Sequence, residues 1–315
     1  MLARSLKSII TSRAALIGTL AGAAYGLAAR LTVATRFVDA FVAMTLGFLF
    51  IVPITIGYLT VRPMREPSKK MSVFAPWLTC LLVIVGSFVS GFEGAICIVF
   101  ATPVMLVLSS LGGILAASRA GRSHIALPVA LVLPWAVMGA ESGMKLPARF
   151  VTTTTSIEIS APPSRVWPLV VSVDSIRPQE RQPALFSSIG FPQPIAATLD
   201  HPGVGGVRTA SFEHGVVFRE VITDWVPEKR IRFTIDASTV PATALDEHVR
   251  IGGPYFDVLT GTYELRPLSP SRTLLVLTSE HRVSTRFNPY ASWWADRIML
   301  SIQENILHVL RARAE

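Results

Sequence analysis

One carboxylate in the second half of the chain has a sequence context that could support chemistry. Glu220 lies in an alternating stretch, where it shares one face of a predicted strand with Phe218 and Ile222. A carboxylate among apolar side chains could orient the polar end of a ligand, or act as an acid or base. A second interpretation stays open, because Glu220 could instead form a salt bridge with an arginine on a neighbouring strand, such as Arg208.

Two histidines are weaker candidates for a general base. His214 precedes Gly215 at a predicted turn, and His281 lies in the predicted strand before the last helix. A lone histidine is more often a hydrogen-bonded structural or surface residue. The chain has no Ser-His-Asp order, no nucleotide-binding glycine pattern and no His or Cys spacing that suits a metal. We therefore predict no cofactor and no metal, and we expect binding more than catalysis.

The elements that must position these residues follow a change of pattern at residue 150, where Thr and β-branched residues become frequent. A strand at 151–160 and a short helix at 164–173 come first. Residues 177–200 are rich in Pro and predict a second short helix with loops. Five strands follow at 207–213, 216–225, 230–237, 261–266 and 273–283, with turn residues between them. Short connections of this kind predict an antiparallel sheet.

The last element predicted is a long amphipathic helix that runs to about residue 312. Asn288 is predicted as its N-cap and Pro289 as its first helical residue. Its apolar stripe includes Trp294 and Ile298, while Gln303 is expected on the surface. A long helix across a strongly curved sheet can close a cavity. The predicted α+β architecture is a helix-grip, and the residues expected to line its cavity are Phe218, Glu220, Phe233, Tyr263, Trp294 and Ile298.

The first half of the chain has a different composition. Half of all residues are hydrophobic and the mean hydropathy is +0.49. Residues 1–149 hold 13 Lys and Arg against 4 Asp and Glu, whereas the remainder holds 16 against 17. The basic excess thus belongs to the apolar half, where it favours loops against anionic lipid headgroups. The second half has no basic run, so we expect no nucleic-acid partner.

Apolar runs predict a membrane domain at 1–145, before a second domain at 150–315. A helix needs about 20 residues to cross the hydrocarbon core. Four or five spans are predicted, with five favoured, and the membrane bilayer is the expected partner of this all-α bundle. The apolar runs are 14–33, 38–59, 74–90, 95–117 and 125–139.

The basic residues of the loops predict the orientation in a cell membrane. With five spans, nine Lys and Arg residues fall on the side of the N-terminus and four on the other. This places the N-terminus in the cytoplasm. The second domain would then lie outside the cytoplasm, although a count of four spans reverses its side.

Two further features of the apolar half carry expectations. Asp39, Glu93 and Glu141 lie at predicted helix ends, where we expect solvation at the membrane interface. Gly18, Gly22 and Gly26 repeat at four-residue spacing, which predicts close packing against another helix, either of the same chain or of a second copy.

The second domain also resembles a known superfamily. The residues that carry the resemblance are SIEISAPPSRVWPLV at 156–170, GVR at 206–208, FEHG at 212–215, FREVITDWVP at 218–227, WWAD at 293–296 and the pair Ile306-Leu307. They are similar to the SRPBCC superfamily, with its START and Bet v 1-like fold, and more narrowly to its polyketide cyclase/dehydrase and lipid transport group. The resemblance implies a helix-grip around a hydrophobic cavity, and it does not imply catalysis.

Three functions remain open from the sequence. The first is membrane-anchored binding, or transport, of a lipid or other hydrophobic small molecule. The second is a regulatory module that contacts another membrane protein, and the third is a cyclase/dehydrase-type enzyme that uses Glu220. We favour the first, since the resemblance specifies a fold and a cavity but no reaction.

Overall fold

The computed structural model describes residues 13–34, 44–91, 94–118, 120–241 and 250–315. The chain divides into two compact units, Met1–Leu146 and Pro147–Glu315. Each unit is described by itself below.

Within the described residues, the first unit is built from helices. They are α1 (Arg13–Ala34), a π-helical turn (Gly47–Ile51) that continues into α2 (Val52–Val61), α3 (Lys69–Val89), α4 (Ala95–Ala117) and α5 (Ala126–Ser142). Three stretches are long and apolar enough to cross a membrane, namely Arg13–Thr32, Lys69–Val89 and Ala95–Ala117. The apolar segments Gly47–Val61 and Ala126–Ser142 are shorter. The number of spans and their topology therefore stay predictions.

Glycines let the helices of the first unit approach closely. A Cβ atom at Gly18 of α1 would lie 2.0 Å from the carbonyl oxygen of Thr60 in α2, and one at Gly22 would lie 2.9 Å from that of Ile56. Only a residue without a side chain allows backbones this near. Hydroxyl groups add contacts, as Thr60 donates to Thr79 of α3 over 3.0 Å. The glycine repeat thus packs within the chain, the first of the two predicted partners.

Glu141 is not solvated at an interface, contrary to expectation. Its side chain is buried, and its two carboxylate oxygens accept hydrogen bonds from the backbone N–H groups of Leu46 (3.1 Å) and Gly47 (3.0 Å). A carboxylate at a helix start satisfies N–H groups that have no partner in the helix. Glu141 therefore joins α5 to the π-helical turn. The expectations for Asp39 and Glu93 fall on residues outside the described ranges.

The second unit combines an antiparallel sheet with helices. Its strands are β1 (Arg149–Ile159), β2 (Pro194–Leu199), β3 (Val207–Phe212), β4 (Val217–Val226), β5 (Arg230–Asp236), β6 (Phe256–Ser269) and β7 (Arg272–Val283). Its α-helices are α6 (Pro163–Val171), the single turn α7 (Leu185–Ser188) and the long C-terminal α8 (Asn288–Ala314). The predicted order of elements is confirmed, except that β2 lies where the sequence predicted only a short helix and loops.

The seven strands form one sheet in the order β1-β7-β6-β5-β4-β3-β2, and every pairing is antiparallel. The register shifts between Ile222 and Asp224 in β4 and between Val258 and Thr260 in β6. Such bulges bend a strand and increase its twist. The sheet curls, and one helix, α8, packs against its inner face along β1 and β7. This is the helix-grip arrangement that the sequence predicted.

The start of α8 and one residue of its buried face differ from expectation. The helix begins at Asn288, with Phe287 as N-cap, because the Asn288 side chain turns back to accept from the N–H of Thr285 over 2.7 Å. Gln303, expected on the surface, is only 1% exposed. At about 1.5 Å per residue its 27 residues make α8 roughly 40 Å long.

Candidate functional site

The inner face of the sheet gathers the cavity residues that the sequence predicted on strands. Phe218 and Glu220 alternate on β4, Phe233 lies on β5 and Tyr263 on β6, and all four are buried. Ile298 of α8 is buried too. Strand alternation therefore placed these side chains on the correct face. Their contact with a ligand stays a prediction.

Glu220 and Arg208 form a buried ion pair in the middle of this face. They are cross-strand partners on β4 and β3, and Nη1 of Arg208 donates to Oε2 of Glu220. Their side chains are 7% and 6% exposed. The alternative that the sequence left open, a salt bridge to Arg208, is thus the observed state of Glu220.

The Arg208 side chain extends from this pair over two aromatic rings. Its guanidinium carbon lies 5.5 Å from the ring centre of Phe233 and 5.8 Å from that of Tyr263. Its Nε donates to the carbonyl oxygen of Val171 over 3.3 Å. A guanidinium above aromatic faces is stabilised by the ring quadrupole. Arg208 is therefore held by charge, hydrogen bond and rings together.

Gly261 makes room for this arrangement. A Cβ at Gly261 of β6 would lie 2.5 Å from the ring of Phe233, its cross-strand partner on β5. The Phe233 ring therefore lies across the bare backbone of Gly261, next to Tyr263, with 6.2 Å between the two ring centres. A side chain at Gly261 would push Phe233 towards Arg208.

Burial sets the electrostatics of the cluster. It raises the pKa of Glu220, with the neighbouring Arg208 charge acting in the opposite direction. Burial likewise raises the pKa of Tyr263, so its phenol stays protonated at neutral pH. A carboxylate already matched to a guanidinium is a poor proton acceptor for a substrate. The geometry suits fixing of a polar group better than proton transfer.

A second polar cluster joins α8 to the sheet. Gln303 accepts from the Thr155 hydroxyl over 2.7 Å and donates to the Thr153 carbonyl oxygen (3.1 Å) and to Oγ of Ser279 (2.9 Å). About two turns earlier on α8, Asp296 accepts from the Thr153 hydroxyl over 2.7 Å. These bonds place the first strand, the last strand and α8 in a fixed register. The burial of Gln303 was not predicted from the sequence, although the run of threonines at 152–155 of β1 offers polar partners on the inner face at Thr153 and Thr155.

The two histidines occupy different environments. His214 is exposed in the turn between β3 and β4, with φ of 58°, so it does not reach the inner face. His281 is fully buried on the inner face of β7, beside Ser279 in the strand alternation. Burial lowers the pKa of His281, which favours the neutral ring.

Trp294 belongs to an aromatic cluster at the start of α8. It is half-buried, and its ring centre lies 4.8 Å from that of Trp293, 6.3 Å from that of Tyr290 and 6.5 Å from that of Phe186. Phe186 comes from α7, so the segment before β2 reaches α8 here. Trp294 is thus partly used in packing, and a place for it in the cavity wall stays a prediction.

In the part of the chain that the structure describes, no three His, Cys, Asp or Glu side chains come together as a metal site.

No family model and no curated protein matches the chain. Among solved structures, a protein from Nitrosospira multiformis is 18% identical, covering 52% of this chain and 97% of its own, with a TM-score of 0.33. The Zhui aromatase/cyclase from Streptomyces sp. R1128 is 15% identical, covering 52% and 94%, with a TM-score of 0.33. A norcoclaurine synthase mutant from Thalictrum is 11% identical, covering 54% and 100%, with a TM-score of 0.33.

Proposed function

We propose that the second unit binds a lipid or other hydrophobic small molecule between its sheet and α8, and that the first unit anchors it in a membrane. The resemblance to the SRPBCC superfamily, with its lipid carriers, is part of this proposal. An anchor in the membrane would keep the second unit at a high effective concentration near the bilayer, from which an apolar ligand partitions.

The observation that carries the proposal is the composition of the inner face. Apolar and aromatic side chains dominate this face. Two buried polar side chains, Arg208 and Glu220, lie among them and hold each other in place as an ion pair. Sites for small molecules have this composition, because apolar walls supply affinity and a few oriented polar groups supply specificity. The long helix α8 covers mainly β1 and β7, so the inner faces of β4 and β5 are the region that we assign to the apolar part of the ligand.

The first unit supports the anchoring part of the proposal through the distribution of its side chains. Large apolar residues face outward, such as Val85 (57% exposed), Val107 (61%) and Val132 (60%). Small and hydroxyl-bearing residues such as Thr79 and Ser109 are fully buried between the helices. In water this distribution would be unfavourable, whereas in hydrocarbon it is the usual one. Val132 lies on the short helix α5, so its exposure favours contact of α5 with lipid, in addition to the three longer helices.

The state of Glu220 favours binding over catalysis. Its pairing with Arg208 leaves it matched in charge, and a general base at this position would have to give up that partner in a buried site. A ligand could still use the outer edge of the pair as a fixed polar contact.

Native mass spectrometry of the full-length protein, released from detergent, tests the proposal. We expect an extra mass that corresponds to one hydrophobic molecule per chain and that survives the collision energy needed to strip detergent. The variant Phe233→Ala should change the bound population, whereas Phe150→Ala, at an exposed residue of β1, should not. If neither the native protein nor the Phe150→Ala variant carries such a mass after exposure to several lipid extracts, the proposal is contradicted.

A further inference from the structure

His281 is buried without the partners that a buried imidazole needs. It is 0% exposed, and neither ring nitrogen has a hydrogen-bond partner among the described residues. A neutral imidazole presents one N–H donor and one nitrogen acceptor. Buried polar groups in folded proteins are almost always paired, so a ring with two orphaned atoms calls for a partner that the described chain does not supply, either water or a bound molecule.

The surroundings of His281 are apolar on the sheet side. Its cross-strand partners are Val151 on β1 and Val258 on β6, and its ring centre lies 5.7 Å from that of Phe256. The groups of the sheet that flank the ring therefore offer it no hydrogen bond. Any partner must come from the space between the sheet and α8.

A second orphaned group faces the same space. Ser292 of α8 is 5% exposed, and its hydroxyl has no partner within the described ranges. It lies four residues before Asp296, hence one turn earlier on the same helix face. Asp296 bonds to Thr153 of β1, two residues after the partner of His281.

The directions of α8 and β1 bring Ser292 and His281 to one level. Asp296 and Gln303 bond in that order to Thr153 and Thr155, so the helix and the strand run the same way. One turn back along the helix is about 6 Å, and two residues back along the strand is about 6.6 Å. The step from Asp296 to Ser292 therefore matches the step from Thr153 to Val151, which pairs with His281.

The next polar group along this interface shows the contrast. Gln303 is buried as deeply as His281, but its amide oxygen and nitrogen bond to Thr155, Thr153 and Ser279. Ser279 alternates with His281 on the same face of β7. Between the sheet and α8, the polar atoms of Gln303 are thus fully hydrogen-bonded. The polar atoms of His281 and Ser292, further along the same interface, have no partner among the described residues.

We propose that His281 and Ser292 together bind the head group of the hydrophobic ligand, and that this head group is a neutral hydroxyl, as in a long-chain alcohol or a sterol. The inference rests on the proposed function. A hydroxyl oxygen accepts from the imidazole N–H, and its hydrogen is donated to Oγ of Ser292. The half-buried carboxylate of Asp296, one turn further on, repels an anionic head and so disfavours a free fatty acid.

The test uses full-length protein in lipid nanodiscs and three photoreactive probes with the same 16-carbon, diazirine-bearing tail. One probe ends in a hydroxyl, one in a carboxylate and one in a methyl group. Labelling of peptides from the second unit is quantified by mass spectrometry. We expect the alcohol to label at least about tenfold more than the acid, and His281→Leu and Ser292→Ala each to reduce alcohol labelling by about tenfold, the equivalent of one lost hydrogen bond to a buried group. The methyl probe should label all forms equally.

Stability and a matched control separate a binding role from a structural one. His281→Leu removes two orphaned polar atoms, so its melting temperature should be equal to or above that of the native protein. His214→Asn, at the exposed turn with positive φ, should leave all labelling unchanged. If the alcohol labels the native protein and both variants equally, the inference about the head group is wrong while the proposed function stands. A strong loss of stability in His281→Leu would have the same consequence. No labelling of the second unit by any probe would overturn the proposed function together with it.

Discussion

Arg208 and Glu220 lie opposite each other on β3 and β4 and form an ion pair that is almost fully removed from water. The pair lies on the inner face of the sheet, among apolar residues that could have packed without it. Buried pairs of this kind contribute little net stability compared with apolar residues of the same size. The position of this pair on the proposed binding face fits the role that we propose for it, a fixed polar contact for a ligand.

Removal of one partner should be far more costly than removal of both. Glu220→Gln leaves the Arg208 charge buried and unmatched, so we expect a loss of about 3 to 5 kcal/mol in unfolding free energy. The double variant Arg208→Met, Glu220→Leu should recover most of it. Hydrogen exchange of β3 and β4 in the full-length protein measures the loss in the single variant and the recovery in the double variant. Asp224→Asn, in the more exposed pair with Arg230, is the control and should cost about 1 kcal/mol or less. Equal losses at the two sites would contradict the account.

The Gln303 cluster should determine how firmly α8 is held. Gln303→Leu leaves the Thr155 and Ser279 hydroxyls without their buried partner, so we expect α8 to be destabilised by about 2 to 4 kcal/mol. The readout is faster hydrogen exchange in α8 and β1. Glu304→Gln, at the exposed neighbouring position, should have no measurable effect. Unchanged exchange in Gln303→Leu would show that apolar packing alone holds the helix.

The pair of Glu180 and Arg313 predicts a pH dependence. Hydrogen bonds from the Arg313 side chain and then from the Arg177 backbone lower the pKa of Glu180 from 4.5 to about 2. Because the folded protein holds the carboxylate more strongly than the unfolded chain, this stabilisation is present above about pH 4.5 and is lost as the pH falls towards 2. Glu180→Gln should thus be less stable by about 1 kcal/mol at pH 7, with the difference closing below pH 4.

A titration of unfolding midpoints from pH 7 to pH 2 checks this. Glu264→Gln, in the exposed pair with Arg266, is the matched control and should follow the native curve. A difference between Glu180→Gln and native protein that stays constant down to pH 2 would refute the assigned cause.

Packing in the first unit should depend on the backbone contact at Gly18. Gly18→Ala places a Cβ 2.0 Å from the carbonyl oxygen of Thr60, so α1 and α2 must separate, and we expect a lower melting temperature in detergent. Gly139→Ala, on α5, meets nothing within 4 Å and should be neutral or stabilising by up to about 1 kcal/mol. If the two variants melt alike, the close approach of α1 and α2 is not what the stability of this unit depends on.

Local patterns in the sequence were sufficient for most strands and for the face of Glu220. Alternation over a few residues determines which side of a strand is apolar, and Phe218, Glu220 and Ile222 do share the buried face. The strand β2 was missed because Pro194 and two alanines give it little strand propensity, and its pairing with β3 alone defines it. The predicted start of β6 was late because the bulge between Val258 and Thr260 interrupts its alternation.

Contacts between distant residues were beyond such patterns. The partners of Gln303 on β1, Thr153 and Thr155, precede it by 150 and 148 positions, so nothing near Gln303 in the sequence indicates that it is buried. Glu141 likewise bonds to Gly47, which is 94 residues earlier. Both polar residues are buried because the chain supplies a complement elsewhere, and a periodicity argument treats an isolated polar residue as exposed.

The location of a photoreactive ligand tests the central claim most directly. Full-length protein in nanodiscs is irradiated with a 16-carbon diazirine probe, and each modified residue is identified by peptide sequencing in the mass spectrometer. The account predicts modification on the inner face of the second unit, at or next to Phe218, Phe233, Tyr263 or Ile298, with competition by unlabelled ligand. Modification confined to the outward-facing residues of the apolar helices, with the sheet and α8 unlabelled, would contradict it.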